Sequence, residues 1–485
     1  MYIPRCMSTQ HPDNVNPPFF SPNSEIKGED EVTETYYVFS HLGCDEQMWD
    51  CEGKEVDNYV VKKLLTKYEL FFRENKLGKD VFLTLRVPNP AIERAESKIL
   101  IETLESIPRS YDTAKVFYGE DIAPIFEVIL PMTTSANDLN RIYYYYKKFV
   151  AGKEKMLIRK KDITVKEWIG SFKPKEINVI PLFEDYKSML NSDKITENYL
   201  RDKNFEYQRV FLARSDPAMN YGMISALLLN KIALMKLDEL AEKISIDIYP
   251  IIGIGSAPFR GNLKPKTVDQ IIAEYPSVHT FTIQSSFKYD NPPSDVSKAI
   301  KKLKSKKKKN ADIVDIEKSL DIINKYTEQY QKQITNVASI INRLSRFVPS
   351  RRKRKLHIGL FGYSRKMGNI VLPRAITFTC VLYSIGVPPE ILGFDALSEK
   401  DIDFLSDIYV NFEKDFYDAL KYLDWESPLI TDSLKKSVRE HFPEVEEDRK
   451  HVNISRKIYH LLATDGTDSI KESILEAANL RKFLG

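Results

Sequence analysis

Cysteines are scarce in this sequence, and none is spaced as a metal-binding or redox pair. Four occur among 485 residues, and none belongs to a CxxC motif; they are Cys6, Cys44, Cys51 and Cys380. This pattern predicts neither a zinc knuckle nor a disulfide framework. We therefore expect reduced thiols, as in a cytoplasmic protein.

Long hydrophobic runs are also missing. No run of about 18 apolar residues could cross a bilayer, and the first residues, MYIPRCMSTQHPDN, lack the apolar core of a secretory signal. The net charge of +3 is too small to predict a polyanionic partner for the whole chain. With 42% hydrophobic and 29% charged residues, the composition predicts a soluble globular protein, built as one large barrel with additions or as two domains.

Two common nucleotide-binding motifs are absent. The run GIGSAPFRGN (253–262) begins as G-x-G, but Pro258 stands where the dinucleotide fingerprint needs its third glycine, and no GK[ST] follows. A glycine turn after a strand is the simplest interpretation. Alternatively, Arg260 lies in a loop with Gly253 and Gly261, where the backbone can approach an anion closely.

Eight short apolar runs, rich in Val, Ile, Phe and Tyr, are the main positive signal. They are residues 35–43, 81–87, 125–132, 177–185, 209–216, 246–256, 279–286 and 356–365. Near-continuous hydrophobicity is typical of strands that are buried on both faces of a parallel sheet, and helical patterns fill many of the gaps. Eight such units predict an α/β fold, a closed (β/α)₈ TIM barrel with many additional helices.

We predict a single domain over 1–485, with the barrel at about 35–386. A long excursion at about 291–355 interrupts it and holds eight lysines between Lys298 and Lys309. No strong strand signal follows Pro389, which predicts a helical extension over about 387–485.

The lysine-rich excursion has two interpretations. Blocks of like charge are usually disordered surface, which favours a solvated, mobile segment. The alternative is a nucleic-acid-binding or scaffolding protein that works through Lys298–Lys309 and Arg351–Lys355, although no aromatic residues interleave with the run at 298–309. A further segment, Ala218–Ile244, is apolar over much of its circumference and predicts a long helix covered on a second side, for example by another subunit.

Two carboxylates end adjacent predicted strands. In a (β/α)₈ barrel the active site lies at the C-terminal ends of the strands, where we place Glu184 and Asp216. Such a pair can share one Mg²⁺, whose octahedron is completed by substrate oxygens and water. Alternatively, each carboxylate caps the helix that follows it.

Arginines also follow the predicted strands. Bidentate donors to phosphate and carboxylate would come from Arg86, Arg260, Arg365 and Arg374. Any one of them could form a surface ion pair, but a set at one rim favours a metal-assisted site for a small, highly anionic substrate. His11 precedes the first predicted strand, where a packed or solvent-facing role is the simplest interpretation.

The opening IPRCMSTQHPDN and the segment GCDEQMWDCEGKEVD (43–57) resemble the archaeal-type phosphoenolpyruvate carboxylases, and the likeness runs to Gly485. STQHPDN places His11 on the catalytic histidine of that family. LTLR places Arg86 on a phosphate-binding arginine, while PLFED and ARSDPAMNYG place Glu184 and Asp216 on the metal carboxylates.

Three later segments continue the resemblance in order. GIGSAPFRGN is similar to the mobile glycine-rich loop and places Arg260 on its second arginine; GYSR and LPRAI place Arg365 and Arg374 on substrate arginines. The resemblance makes His11 and Arg260 catalytic, and it gives the arginines, Gly253 and Gly261 to the substrate. Two departures from the long members of the family are visible: Ile254 stands where their loop has its first arginine, and Met219 replaces a lysine.

The resemblance implies that phosphoenolpyruvate and bicarbonate are joined to give oxaloacetate and inorganic phosphate, with Mg²⁺ or Mn²⁺ as cofactor. It also implies a cytoplasmic homotetramer with neither nucleic acid nor membrane as partner. The enzymatic alternative is another Mg²⁺-dependent phosphoenolpyruvate or pyruvate TIM-barrel enzyme, which would also use a Glu/Asp pair at the strand ends.

Overall fold

A computed structural model describes residues 2–51, 57–92, 94, 97–353, 365–367, 370–463 and 467–485. Eight parallel strands close into a barrel in the order of the sequence. They are β1 (Cys6–Ser8), β2 (Glu46–Asp50), β3 (Phe82–Arg86), β4 (Glu127–Leu130), β5 (Asn178–Phe183), β6 (Tyr207–Ala213), β7 (Asp247–Gly253) and β8 (Thr280–Ile283). The barrel closes where Cys6, Met7 and Ser8 of β1 pair with Phe281, Thr282 and Ile283 of β8. The predicted fold class is confirmed.

Helices surround the barrel and make up most of the chain after it. Before β8 they are α1 (Glu29–Tyr37), α2 (Val60–Lys67), α3 (Glu69–Glu74), α4 (Ser97–Tyr118), α5 (Ala136–Tyr145), α6 (Val165–Ile169), α7 (Tyr186–Leu190), α8 (Ser192–Leu200), α9 (Ser215–Tyr221), α10 (Met223–Ile244) and α11 (Val268–Glu274). After β8 they are α12 (Ser285–Tyr289), α13 (Pro293–Ser305), α14 (Ile316–Leu344), α15 (Ala375–Ser384), α16 (Glu399–Ile408), α17 (Phe412–Leu420), α18 (Asp432–His441), α19 (Arg449–Ala463) and α20 (Thr467–Arg481).

The first predicted strand is wrong, because residues 35–43 are helical. Helix α1 continues into one π-helical turn, Val38–Leu42, which ends at Gly43 with a φ of 83°. Helix and strand cannot be told apart in so short an apolar run. The strands β1 and β2 were missed because their sequences, CMS and EQMWD, contain polar residues that the closed barrel buries.

The last predicted strand, 356–365, falls outside the described part of the chain except for Arg365. The barrel is already closed by Ile283, and β9 (Arg365–Met367) pairs antiparallel with β10 (Ile370–Leu372) in a separate sheet. The barrel strands therefore lie between Cys6 and Ile283, and not within the predicted limits of 35 and 386.

Helix α10 is buried around almost its whole circumference, as its composition predicts. Its second cover is α14 of the same chain, where Ser225 Oγ lies 3.0 Å from Thr327 Oγ1. The predicted second cover of this helix is thus provided by the same chain. The predicted long helix is broken at Gly222, whose φ is 86° and where any side chain would collide with Tyr326.

Two lysines of the lysine-rich excursion are hydrogen-bonded to the backbone of loops next to the barrel strands. Lys304 Nζ donates to the Gly43 carbonyl at 3.1 Å, and Lys306 Nζ donates to the carbonyls of Pro276 and Val278 at 2.8 and 2.5 Å. Burial lowers the pKa of Lys306 to about 7. The interpretation as a solvated segment is wrong for these two lysines, because backbone carbonyls take the place of water.

No single helix in the described part of the chain is both long and apolar enough to span a membrane, although one bent pair, Ala375–Ser384 with Pro389–Ala396, passes by length and composition.

Candidate active site

A cavity of about 350 Å³ opens at the C-terminal ends of the barrel strands. Residues from the ends of the strands line it together with the segment 348–352 and the start of α15. The lining includes Gln10, His11, Asp50, Arg86, Glu184, Asp216, Gly253, Arg260, Gln284 and Arg374. Six of the predicted site residues that bear charge or a ring nitrogen therefore meet in one place.

His11 follows the first barrel strand, β1. The sequence alone had suggested a position before the first strand. Its Nδ1 lies 2.9 Å from Thr9 Oγ1. Burial, and after it the positive charges of Arg86, Arg260 and Arg374, holds the pKa of His11 well below its usual value, against the opposing charge of Asp50. The imidazole is therefore neutral at physiological pH and able to accept a proton.

Arg86 ends β3 and is held by the residue that ends the neighbouring strand. Its Nε and Nη2 donate to the two carboxylate oxygens of Asp50 at 3.1 and 2.7 Å. Asp50 and Arg86 are direct partners in the β2–β3 register. This bidentate pair aligns the guanidinium at the cavity wall, where it can present its remaining donors to an anion.

Glu184 and Asp216 follow β5 and β6, which are adjacent in the barrel. Glu184 is buried, and one of its oxygens accepts a hydrogen bond from the Met132 backbone at 2.6 Å. Neither carboxylate caps a helix: Asp185 caps α7, and α9 has no side-chain cap. The alternative interpretation of both residues as caps is therefore wrong.

The donor set fits a hard divalent cation. Both carboxylates line the same cavity, and Mg²⁺ characteristically takes one or two protein carboxylates while leaving its other positions to substrate and water. Among the residues that the structure describes, no three His, Cys, Asp or Glu side chains form a metal cluster. A site here would rest on Glu184 and Asp216.

Arg260 lies in the glycine-containing loop and is fully enclosed. Its guanidinium donates to Ser215 Oγ at 3.1 Å, Gln284 Oε1 at 2.5 Å and the Gly485 carbonyl at 2.6 Å, and it lies 3.4 Å from Asp13 Oδ2. Burial lowers the pKa of Arg260, and the negative charges of Asp13 and Asp216 oppose this only in part.

The glycines of this loop differ in what they do. Gly253 ends β7 and lines the cavity. Gly255 makes room for Arg260, because a Cβ would lie 2.8 Å from the guanidinium carbon. Gly261 is not among the cavity-lining residues; it has a φ of 112°, and a Cβ there would lie 2.6 Å from Ile254 Cγ2. Its glycine requirement is thus explained by the turn.

The remaining two arginines are placed unequally. Arg374 precedes α15 and lines the cavity. Arg365 begins β9, directly after the undescribed residues 354–364, and its side chain lies outside the described part of the structure. Its assignment to the substrate stays a prediction.

The family model of phosphoenolpyruvate carboxylase matches residues 3–485. The chain belongs to the phosphoenolpyruvate carboxylase family. A curated phosphoenolpyruvate carboxylase from Methanothermobacter thermautotrophicus is 61% identical over 485 residues and is aligned over all of both chains. That of Methanospirillum hungatei is 55% identical, again over all of both chains, and that of Pyrococcus furiosus is 54% identical over 91% of this chain and 93% of its own.

Among solved structures, a malate synthase from Haloferax volcanii is 10% identical and aligns over 68% of this chain and 80% of its own, with a TM-score of 0.38. This structural likeness is too remote to carry an argument.

The two departures from the long members of the phosphoenolpyruvate carboxylase family lie in the core. Ile254 and Met219 are completely buried among apolar side chains and do not line the cavity. An arginine or lysine side chain in either place would lose its hydration without a partner. These substitutions therefore change the packing beneath the loop and take no charge from the cavity wall.

Three contributors to this carboxylase-family site were missed in the sequence. Asp50 holds Arg86, while Asp13 and Gln284 hold Arg260. Asp13 belongs to STQHPDN, and Asp50 and Gln284 stand at the ends of β2 and β8. Correct assignment of β1 and β2 would have placed Asp13 and Asp50 at the rim of the barrel.

Proposed function

We propose that this chain joins phosphoenolpyruvate and bicarbonate in the cavity at the strand ends, giving oxaloacetate and inorganic phosphate. Family membership indicates the reaction. The observation that supports the site is the convergence of one neutral imidazole, two carboxylates and three arginines on one cavity; they are His11, Glu184, Asp216, Arg86, Arg260 and Arg374.

Glu184 and Asp216 would hold Mg²⁺ or Mn²⁺, which when bound supplies Lewis-acid stabilisation of the negative charge on the enolate oxygen. The protein prepares this position without a metal, because the Met132 backbone orients Glu184.

The arginines bind and orient the anionic groups. Arg86 is prealigned by Asp50, and Arg374 stands on another wall of the same cavity. Guanidinium groups in these positions hold the phosphate and carboxylate of phosphoenolpyruvate so that bicarbonate attacks the phosphorus in line with the leaving enolate oxygen. The attack forms carboxyphosphate and the enolate of pyruvate.

His11 acts as the base for the second step. It takes the proton from the carboxyl group of carboxyphosphate, whose bond between carbon and the phosphate oxygen then breaks to release CO₂ and phosphate. The enolate carbon captures the CO₂, and the proton passes from His11 to phosphate. A neutral imidazole at physiological pH suits this task, and the depressed pKa of His11 keeps it neutral.

Arg260 encloses the site and excludes water. Its hydrogen bonds to Gln284, Ser215 and the Gly485 carbonyl tie the loop to β8, α9 and the end of the chain. Exclusion of water matters here because a hydrated enolate would be protonated to pyruvate before it met CO₂.

The test is an assay that couples product to malate dehydrogenase, run with phosphoenolpyruvate and Mg²⁺ in the presence and absence of bicarbonate. We expect oxaloacetate and phosphate in equal amounts, strictly dependent on bicarbonate and without any nucleotide. If phosphoenolpyruvate were consumed at the same rate with and without bicarbonate, the protein would instead be another phosphoenolpyruvate or pyruvate barrel enzyme.

We further propose, from the family resemblance, a cytoplasmic homotetramer that replenishes the tricarboxylic acid cycle. Light scattering on the purified protein tests its assembly directly: a mass about four times that of the 56.2 kDa chain is expected, and a monomer would contradict it.

A further inference from the structure

One ring nitrogen of His11, Nδ1, lies against a threonine. Thr9, two residues before it, is completely buried. Its Oγ1 lies 2.9 Å from His11 Nδ1 and 3.3 Å from the Ile283 carbonyl oxygen. A hydroxyl has one hydrogen to donate, and the carbonyl can only accept, so the direction of these two bonds decides which ring nitrogen of His11 carries the proton.

The position of Thr9 is fixed on both sides. Its backbone N–H donates to the Ile283 carbonyl at 3.0 Å. Its own carbonyl accepts from Lys288 Nζ at 2.9 Å, and this buried ammonium also donates to Glu34 at 2.9 Å and to Ser8 Oγ at 3.1 Å. The hydroxyl is therefore presented to His11 by a rigid segment, and its orientation is a property of the fold.

The charges around the imidazole select between its two neutral forms. On the cavity side, the positive charges of Arg86, Arg260 and Arg374 act on His11, and Asp50 opposes them. On the other side stands the uncharged hydroxyl of Thr9. The unprotonated ring nitrogen is the negative end of the imidazole dipole. Nearby arginines therefore favour the tautomer whose unprotonated nitrogen faces the cavity and whose N–H points toward Thr9.

We propose that Thr9 is a positioning residue that holds His11 as the Nδ1–H tautomer. The Thr9 hydroxyl accepts a hydrogen bond from Nδ1–H and donates one to the Ile283 carbonyl, which leaves Nε2 unprotonated as the base. The catalytic consequence rests on the proposed function, because only a base requires a bare Nε2, whereas the tautomer itself does not depend on any activity. A misassigned tautomer disables a catalytic histidine even when its position is unchanged.

The tautomer can be measured without turnover. In protein grown with ¹⁵N-labelled histidine, long-range ¹H–¹⁵N correlation spectra separate Nδ1–H from Nε2–H rings. The chain has seven histidines, and the signals lost in His11→Asn identify residue 11. We expect the Nδ1–H form at neutral pH. The Nε2–H form at neutral pH would overturn the inference, whatever the reaction of the enzyme is.

Kinetics test the consequence with a matched set of variants. Thr9→Val removes the hydroxyl and keeps the shape of the side chain, so oxaloacetate formation should fall on the order of 10²-fold while bicarbonate-dependent release of phosphate continues and yields pyruvate. Thr9→Ser should restore most of the oxaloacetate. Thr133→Val is the control, because Thr133 is equally buried after β4 and donates its hydroxyl to the Leu130 carbonyl at 2.8 Å without lining the cavity.

The readout is the ratio of oxaloacetate to phosphate, which a merely structural defect would leave unchanged because both products would fall together. An unchanged ratio in Thr9→Val would overturn the inference. If the wild-type protein made no oxaloacetate at all, the proposed function would fail, and the spectra would still decide the tautomer. If Thr9→Val did not fold, the spectrum of the wild type would decide it.

Discussion

At the N-terminal end of the barrel Arg209 lies between Glu46 and Glu127, whereas at the C-terminal end Arg86, Arg260 and Arg374 line a cavity. We call the first group, Arg209 with its two glutamates, the floor cluster. Its guanidinium donates to Glu46 at 2.6 and 2.8 Å and to Glu127 at 3.0 Å, and the arginine is completely buried.

The same residue types serve different purposes at the two ends. Burial disfavours the charge of Arg209, but its two glutamates outweigh burial and raise its pKa. For Arg260 burial prevails over Asp13 and Asp216, and its pKa is lowered. The glutamates thus outweigh burial at the floor cluster, whereas at the cavity three arginines gather where the proposed substrate is anionic. Mutations should therefore separate stability from activity along the barrel axis.

The largest expected effect is a loss of activity at the mouth. In His11→Asn, oxaloacetate formation should fall on the order of 10²–10⁴-fold, because general-base catalysis is lost. Bicarbonate-dependent release of phosphate from phosphoenolpyruvate should partly remain, and thermal unfolding should be unchanged. Both products and the unfolding midpoint are measured on one preparation. Oxaloacetate at the normal rate would remove His11 from the mechanism.

At the floor the expected loss is one of stability. Arg209→Met leaves two buried carboxylates without their partner and should lower the free energy of unfolding by about 3–5 kcal/mol, as denaturant titration would show. Addition of Glu46→Gln and Glu127→Gln should recover part of it. Arg374→Met at the mouth is the matched control and should change stability little. An equal loss of stability in Arg209→Met and Arg374→Met would contradict the proposed difference between the two ends of the barrel.

The floor should also respond to pH through His279, at the start of β8. Burial lowers the pKa of His279 to about 4, from an ordinary 6.5. The stability that the neutral His279 contributes is fully present above pH 6.5, its unfolded pKa, and is lost as the pH falls from 6.5 toward 4. In that range the unfolded chain binds a proton at this histidine while the folded chain does not, so protonation favours unfolding. His279→Gln should therefore remove about 3 kcal/mol of the acid sensitivity in that window. Parallel stability curves for the two proteins would contradict this.

At the mouth a smaller, specific effect is expected on the metal requirement. Asp216→Asn should raise the Mg²⁺ concentration for half-maximal activity at least about tenfold, because an amide is a poorer ligand for a hard cation than a carboxylate. Asp185→Asn is the control: it makes the same change of carboxylate to amide at the N-cap of α7, where asparagine caps as well as aspartate, and Asp185 does not line the cavity. An unchanged Mg²⁺ requirement in Asp216→Asn would remove this residue from the metal site.

The smallest effect is expected outside both ends of the barrel. Lys298, Lys301, Lys307 and Lys309 are the exposed members of the lysine run for which the described part of the chain shows no side-chain ion pair or hydrogen bond. Their joint replacement by alanine should leave turnover unchanged and stability within about 0.5 kcal/mol. Filter binding to mixed nucleic acid measures the alternative function. Loss of such binding on replacement would support the nucleic-acid interpretation over the enzymatic one for this segment.

Six of the eight barrel strands could be predicted because their apolar runs are buried on both faces. β1 and β2 could not, since a closed barrel buries polar residues of these strands, among them Glu46 and Asp50 at the two ends of β2. The error at residues 35–43 has a related cause: a helix that is packed closely against a barrel can be as apolar as a strand.

The candidate site was predictable where motifs carried it. His11, Arg86, Glu184, Asp216, Arg260 and Arg374 all line the cavity as expected. Their supporting residues were not, because the partners that hold them come from remote positions: Gln284 and Asp13 contact Arg260 across the barrel mouth, and Met132 orients Glu184. The role of Gly261 follows from its backbone conformation, which no motif displays.

The sequence by itself determined that this chain forms a parallel barrel of the phosphoenolpyruvate carboxylase family, because hydrophobic runs and motifs are local properties of the polypeptide. The tertiary structure alone decided which side chains surround each buried charge. Arg209 and Arg260 are both completely buried, and they differ only in the neighbours that folding brings to them. The energy of a buried charge depends on those neighbours, which lie far away in the sequence.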